Sequence, residues 1–216
     1  MSNEQEPAVR SQQRRRRRLS VQERRAELIA LGLELFATQP YDDVWIEGVA
    51  DRAGISRGLL YHYFPTKRDY YLAVMQAATE GIFSASTPST GASPARAIRA
   101  GIDAFLAAVE AQPHGYLTAY RGTLSSDSEV RAVALRARAR QTDRIVALLS
   151  PAGAPSPPLL RTAVHGWTAM AQDMTADWLQ RGAPDADQLR DILFGALVGT
   201  IRAAGCPSLP IKVARV

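Results

Sequence analysis

The segment Asp42–Pro65, DDVWIEGVADRAGISRGLLYHYFP, is broken at Gly54 into two short helical runs. Asp42 or Asp43 is positioned to cap the first run, and Ser56 is a natural N-cap for the second. Gly54 permits the left-handed turn between them, and Pro65 stops the second helix. Ala50, four residues before Gly54, is small enough to let the two helices cross closely, and Ile46, Val49, Ile55 and Leu60 supply the apolar contacts. This layout predicts a helix-turn-helix, whose second helix enters the DNA major groove and meets base edges with its N-terminal residues.

Those residues are Ser56, Arg57, Gly58 and Leu59, followed by four consecutive rings, Tyr61, His62, Tyr63 and Phe64. With Leu60 and Phe64 facing inward, the other side of the helix carries Arg57, Tyr61 and Tyr63 toward DNA. Arginine grips guanine O6 and N7 bidentately, and a leucine touches a thymine methyl. Gly58 allows close backbone approach. Tyrosine hydroxyls suit phosphate oxygens, His62 suits a base or a phosphate, and Lys67 can add a phosphate contact from the next helix start.

The remaining chain reads as helix throughout. Ser20 and Glu23 form a capping box, so a helix begins near Val21 and presents Leu28, Ile29, Gly32, Leu33 and Phe36 on one face. Thr66 and Asp69 cap a fourth helix, Ser93-Pro94 opens a fifth, and a short piece spans His114 to Arg121. Ser126 with Glu129 predicts a box before an Arg/Ala-rich helix. Ser156-Pro157 starts a long helix that stops at Gly182, and Asp185 with Gln188 opens a last one that closes at Gly205 and Pro207. No alternating strand pattern of useful length occurs. The expected class is all-α, with about nine helices.

Charge separates the chain sharply. Residues 1–25 hold eight Arg against three Glu, while the other 191 residues balance at 18 basic and 18 acidic. The excess lies in an N-terminal arm containing Arg14, Arg15, Arg16, Arg17 and Arg18, which predicts a polyanionic partner. Such arginines can grip phosphates or enter a narrow minor groove. No apolar run reaches the roughly 18 residues of a membrane span. No secretory leader is visible, and the lone Cys206 forms no internal disulfide, so the expected location is cytoplasmic with no membrane partner.

The run AGISRGLLYHYFPTKRDYYLAV resembles the TetR family of one-component bacterial regulators at Ala53, Gly54, Ile55, Ser56, Gly58, Leu60, Tyr61, Tyr63, Phe64 and Lys67. LELFATQPYDDV resembles the end of that family's first helix at Leu35, Phe36, Ala37 and Tyr41. The match covers about residues 20–75. There are departures. Val44 and Trp45 stand where the family usually has Thr or Ser, so Trp45 brings only an indole N–H to the phosphate. Leu59 replaces a residue that is often small or hydroxylated, and Pro40 replaces a common Gly.

The resemblance implies a homodimer on double-stranded DNA, with an arm at 1–19, a DNA-binding domain at 20–65, an effector-binding and dimerisation domain at 66–205 and a tail at 206–216. It implies that a small effector shifts the fourth helix and changes the spacing of the two reading heads. It also implies a four-helix dimer interface from the last two helices, with Leu160, Val164, Trp178, Leu189, Ile192, Leu193, Ala196 and Leu197 as candidates. Phe105, His114, Tyr116, Tyr120, Trp167, Met170 and Met174 are candidate effector contacts, because rings with a few polar tips suit an apolar cavity.

Catalytic signatures are absent from the sequence: no G-x-S-x-G, H-E-x-x-H, Walker loop or dinucleotide glycine pattern occurs, and three His with one Cys lack metal-ligand spacing. No cofactor is expected. The expected function is a repressor released from a palindromic operator by a small apolar or amphipathic effector. The alternative is an effector-independent activator or architectural protein of the same fold. RNA binding through the arginine tract is the third reading, and the sequence lacks the aromatic sheet or glycine loop of common RNA modules.

Overall fold

The computed structural model describes residues 19–86, 93–123, 125–150 and 158–205. Among them are nine α-helices and no strand: α1 Val21–Thr38, α2 Ile46–Ala53, α3 Arg57–Tyr63, α4 Lys67–Ala85, α5 Pro94–Ala111, α6 Pro113–Thr123, α7 Ser128–Leu149, α8 Pro158–Arg181 and α9 Ala186–Ala203. The all-α expectation holds. The arm Arg14–Arg18, the Ser156-Pro157 start, Cys206 and Pro207 lie outside the described residues.

Three capping boxes form as the sequence predicts, at Ser20/Glu23, Thr66/Asp69 and Asp185/Gln188. Two other starts differ. Asp42 and Asp43 do not cap α2. They belong to a turn closed by the Asp43 N–H on the Pro40 carbonyl at 3.2 Å, and the cap position falls to Trp45, which gives no side-chain bond. α7 is capped by Asp127, not Ser126: the Asp127 carboxylate accepts from the Glu129 and Val130 N–H groups. Its anionic oxygen is the stronger acceptor at a helix start.

Two apolar cores stack along the molecule. The first gathers Leu28 and Phe36 of α1, Val49 and Ala50 of α2, Leu60 and Phe64 around α3, and Tyr70, Val74 and Met75 of α4. Val130, Val133 and Ala134 at the start of α7 close it. The second core is built from α5 to α9, with Ile145, Leu160, Trp167, Leu193 and Leu197 among its members. α4 and α7 pack along each other and take part in both regions. α6 is sewn to α1 by Thr118 Oγ1 donating to the Leu33 carbonyl at 3.1 Å and Arg121 Nη1 donating to the Phe36 carbonyl at 3.4 Å.

The α1–α4 crossing is close. Tyr70 is fully buried, and its hydroxyl donates to the Leu28 carbonyl at 2.6 Å. Gly32 makes room: a Cβ there would lie 2.3 Å from Val74 Cγ2 and 2.7 Å from the Tyr70 hydroxyl oxygen. Gly32→Ala is therefore expected to cost about 1–3 kcal/mol, seen as a lowered thermal midpoint. Gly122→Ala is the control. Its new methyl would meet the end of the Met75 side chain, which can turn away, and the midpoint should fall less.

Candidate DNA-reading surface and ligand cavity

Gly54 turns the chain from α2 to α3 at φ 62°, and the Ile55 N–H returns to the Ala50 carbonyl at 3.0 Å. Ser56 then caps α3, its hydroxyl accepting from the Leu59 N–H at 3.2 Å. Leu60 and Phe64 sink into the first core and roll the opposite face outward. Ser56, Arg57, Gly58, Leu59, Tyr61 and His62 are all exposed, in the order the sequence predicts. Tyr63 differs: it is half-buried against the core and edge-on to His62, with ring centroids 5.8 Å apart.

Two partners on this surface are not evident from sequence spacing. Glu47 of α2 places a carboxylate oxygen 3.5 Å from Arg57 Nη1, steadying the guanidinium while leaving most of it open. Lys67 is held from below: its Nζ donates to the Asp42 carbonyl at 3.2 Å and sits 4.5 Å over the Tyr41 ring. Trp45 stands at the head of α2 with 74% of its surface exposed, while Val44 beside it is buried.

One residue on, Arg68 binds the α7 cap. Its Nε and Nη2 engage the two Asp127 oxygens at 2.7 and 3.0 Å, and Nη2 reaches Glu129 at 2.7 Å. The guanidinium and the capped N–H groups hold the Asp127 carboxyl well below the usual carboxylate range. A depressed acid loses its contribution only as pH falls through its folded-state value, so this tie persists through neutral and mildly acidic pH. The first turn of α4, next to α3, is thus fastened to the α2 approach and to α7 together.

The other end of α4 faces a partly open cavity of about 110 Å³. Thr79, Ile82, Phe83 and Ser86 come from the end of α4, and α5, α6, α7, α8 and α9 supply the other walls. Phe105, Tyr116, Tyr120 and Trp167 line it as the sequence suggests. His114 and Met170 do not, since both are on the surface, and Met174 lines a neighbouring recess with Tyr120 and Asp173. Burial pushes the Tyr116 phenol well up, and its hydroxyl donates to the Gln172 carbonyl at 2.7 Å. The polar wall residues Arg138, Gln141, Arg144, Thr168 and Gln172 carry no sequence signature. They alternate with alanines on helices that would look alike without a hollow.

The last two helices sort differently from the expectation. Leu160, Val164, Trp178, Leu189, Leu193 and Leu197 are buried in the subunit's own core and so are not available as a first contact with another chain. Of the eight candidates only Ile192, 44% exposed, and the half-buried Ala196 reach the outer side. That side also carries the exposed Leu159 and Met170, and at Gly166, Gly195 and Gly199 nothing stands within 4 Å of where a Cβ would be.

Among the described residues no group of His, Cys, Asp or Glu could hold a metal ion, and no helix is long and apolar enough to cross a membrane.

Comparison with known proteins meets this geometry at both ends. Residues 28–74 match the bacterial regulatory proteins of the tetR family, and residues 94–199 match the tetracyclin repressor-like C-terminal domain. The HTH-type transcriptional activator FasR of Mycolicibacterium smegmatis is 28% identical over 194 residues, covering 88% of this chain and 85% of FasR. A tetR-family transcriptional regulator from Streptomyces coelicolor has a similar fold, with a TM-score of 0.74 at 24% identity over 87% of this chain and 84% of that one. The transcriptional regulator FadR from Bacillus subtilis, solved in complex with stearoyl-CoA, aligns with a TM-score of 0.67 at 15% identity over 82% and 98% of the two chains. With the helix-turn-helix and the helical C-terminal half both matched, the chain belongs to the TetR family of DNA-binding transcriptional regulators.

Proposed function

We propose that this chain acts as a homodimer that holds a palindromic operator and is released from it by a small apolar or amphipathic ligand. The observation that supports this reading is the double duty of α4. Its first turn is tied to the approach to α2 through Lys67 and to α7 through Arg68, and its last turns wall the cavity. A ligand that prefers one setting of α4 biases the spacing of two reading heads by that preference alone. The stearoyl-CoA complex of FadR supports the ligand class, since that fold holds an amphiphile.

A second reading is activation of transcription, favoured by the name of FasR as an activator. The same operator contact serves either sign, because the outcome depends on where the site lies relative to the promoter.

The reading is tested by selecting bound duplexes from a random DNA pool. Enrichment of an inverted repeat with half-sites about 34–36 Å apart is the expected result. Binding without enrichment that disappears as salt rises would overturn it. On the selected operator, Arg57→Ala should cost about 1–3 kcal/mol and relax preference at one base pair of each half-site, read by competition with point-substituted duplexes.

Deleting residues 1–18 should flatten the plot of log affinity against log salt by about 0.9 for each phosphate that the arm neutralises. An unchanged slope would mean that the arm touches no phosphate. Ile192→Asp should leave the helical content intact, produce monomers in sedimentation and lower operator affinity at least about tenfold, or about 1.4 kcal/mol. Leu193→Asp is not the equivalent test: it buries a charge in the subunit's own core and should unfold it.

A further inference from the structure

The cavity has a sign of charge. Among the described residues that line it there are two arginines and no aspartate or glutamate. Arg144 has a structural task. Its Nη2 donates to the Phe83 carbonyl at 2.7 Å and to Gln141 at 2.6 Å, and the guanidinium lies 3.6 Å over the Phe83 ring, fastening α7 to α4.

Arg138 is different. Its Nε donates to the Gln172 side-chain oxygen at 2.7 Å, and both residues are part of the cavity wall. Among the described residues Arg138 has no carboxylate in ion-pair range, and it is the arginine of the cavity wall that is not bound to a backbone carbonyl of α4. The nearby acid Asp173 lines the neighbouring recess instead, where its carboxylate accepts from the Tyr120 hydroxyl at 2.6 Å. Gln172 therefore fixes one edge of the Arg138 fork, and both Nη groups are left without a partner among the described residues. A half-buried cation beside apolar walls gains most from an anion that brings paired oxygens. The rest of the wall is set by Ile98, Ile102, Ile145, Leu148, Leu193 and Leu197, which suits a long apolar body.

We propose that the ligand of this cavity is an anionic amphiphile whose acidic oxygens sit on the Arg138 fork and whose apolar chain fills the space among the isoleucines and leucines. This deepens the effector reading and rests on it. The acidic oxygens belong either to a free fatty carboxylate or to the phosphates of the coenzyme A part of an acyl-CoA thioester, and both present the same bidentate chemistry to a guanidinium.

Titration calorimetry on the full chain decides it, with dodecanoate, dodecanoyl-CoA, 1-dodecanol and dodecyltrimethylammonium as probes. The acid or the thioester is expected to bind at least about tenfold more tightly than the alcohol, and the cation not at all. Whichever anion is tighter identifies the source of the oxygens. Arg138→Gln should erase the preference and keep the alcohol's affinity, while Arg138→Lys should recover part of it. Thermal midpoints near wild type confirm that both variants fold.

Equal binding of acid, alcohol and cation, a preference that survives Arg138→Gln, or no binding by any probe would overturn the proposal. Binding with the expected preference that leaves operator affinity unchanged would keep the Arg138 assignment and sink the effector reading instead. Operator release by an uncharged or cationic compound would do the reverse.

Discussion

The Tyr70 hydroxyl on the Leu28 carbonyl is the joint on which the reading head depends. A buried hydroxyl without a partner costs about 1–3 kcal/mol, so α4 can cross α1 only where that carbonyl is reachable. Gly32 gives the ring its space, and the Phe64 ring meets Tyr70 edge-on with centroids 5.0 Å apart. α3 thus has its inner face determined by a ring that α1 and α4 already hold. Burial raises the Tyr70 phenol well above its ordinary range, so the hydroxyl remains a donor at neutral pH.

The same helix that supplies Tyr70 runs on for 19 residues, about 28 Å, to the cavity. Both of its ends are tied to α7. At the reading-head end the tie is ionic and partly wet, through Arg68 and Asp127. At the cavity Arg140 pairs with Glu80 at 2.9 Å, and the Phe83 ring lies between two guanidiniums, 4.0 Å from Arg140 and 3.6 Å from Arg144.

Helix starts with a hydroxyl or carboxylate three residues before an acid or amide are legible in the sequence, because their two bonds are local. Gly54 and the inward pair Leu60 and Phe64 are legible for the same reason. Where two neighbours can both cap, as at Ser126 and Asp127, the spacing alone does not choose: the carboxylate is the stronger acceptor, and Arg68, 59 residues away, adds a partner that no local pattern contains. The faces of α8 and α9 are ambiguous because both sides of each helix are apolar or small. Leu193 and Ile192 are chemically near-identical and differ only in what lies opposite. The cavity is the least legible feature. A hollow is the absence of a neighbour, and Arg138 reads as one more surface arginine until Gln172 is seen beside it.

Of the three tryptophans, Trp45 is 74% exposed at the tip of the reading head, whereas Trp167 and Trp178 are 8% exposed in the distal core. Trp167 lines the cavity, and its indole N–H donates to the Leu193 carbonyl at 2.9 Å. Indole emission follows the polarity around the ring. The exposed Trp45 is therefore expected to emit further to the red than the buried Trp167 and Trp178, so unlabelled protein reports separately on the reading head and on the distal core.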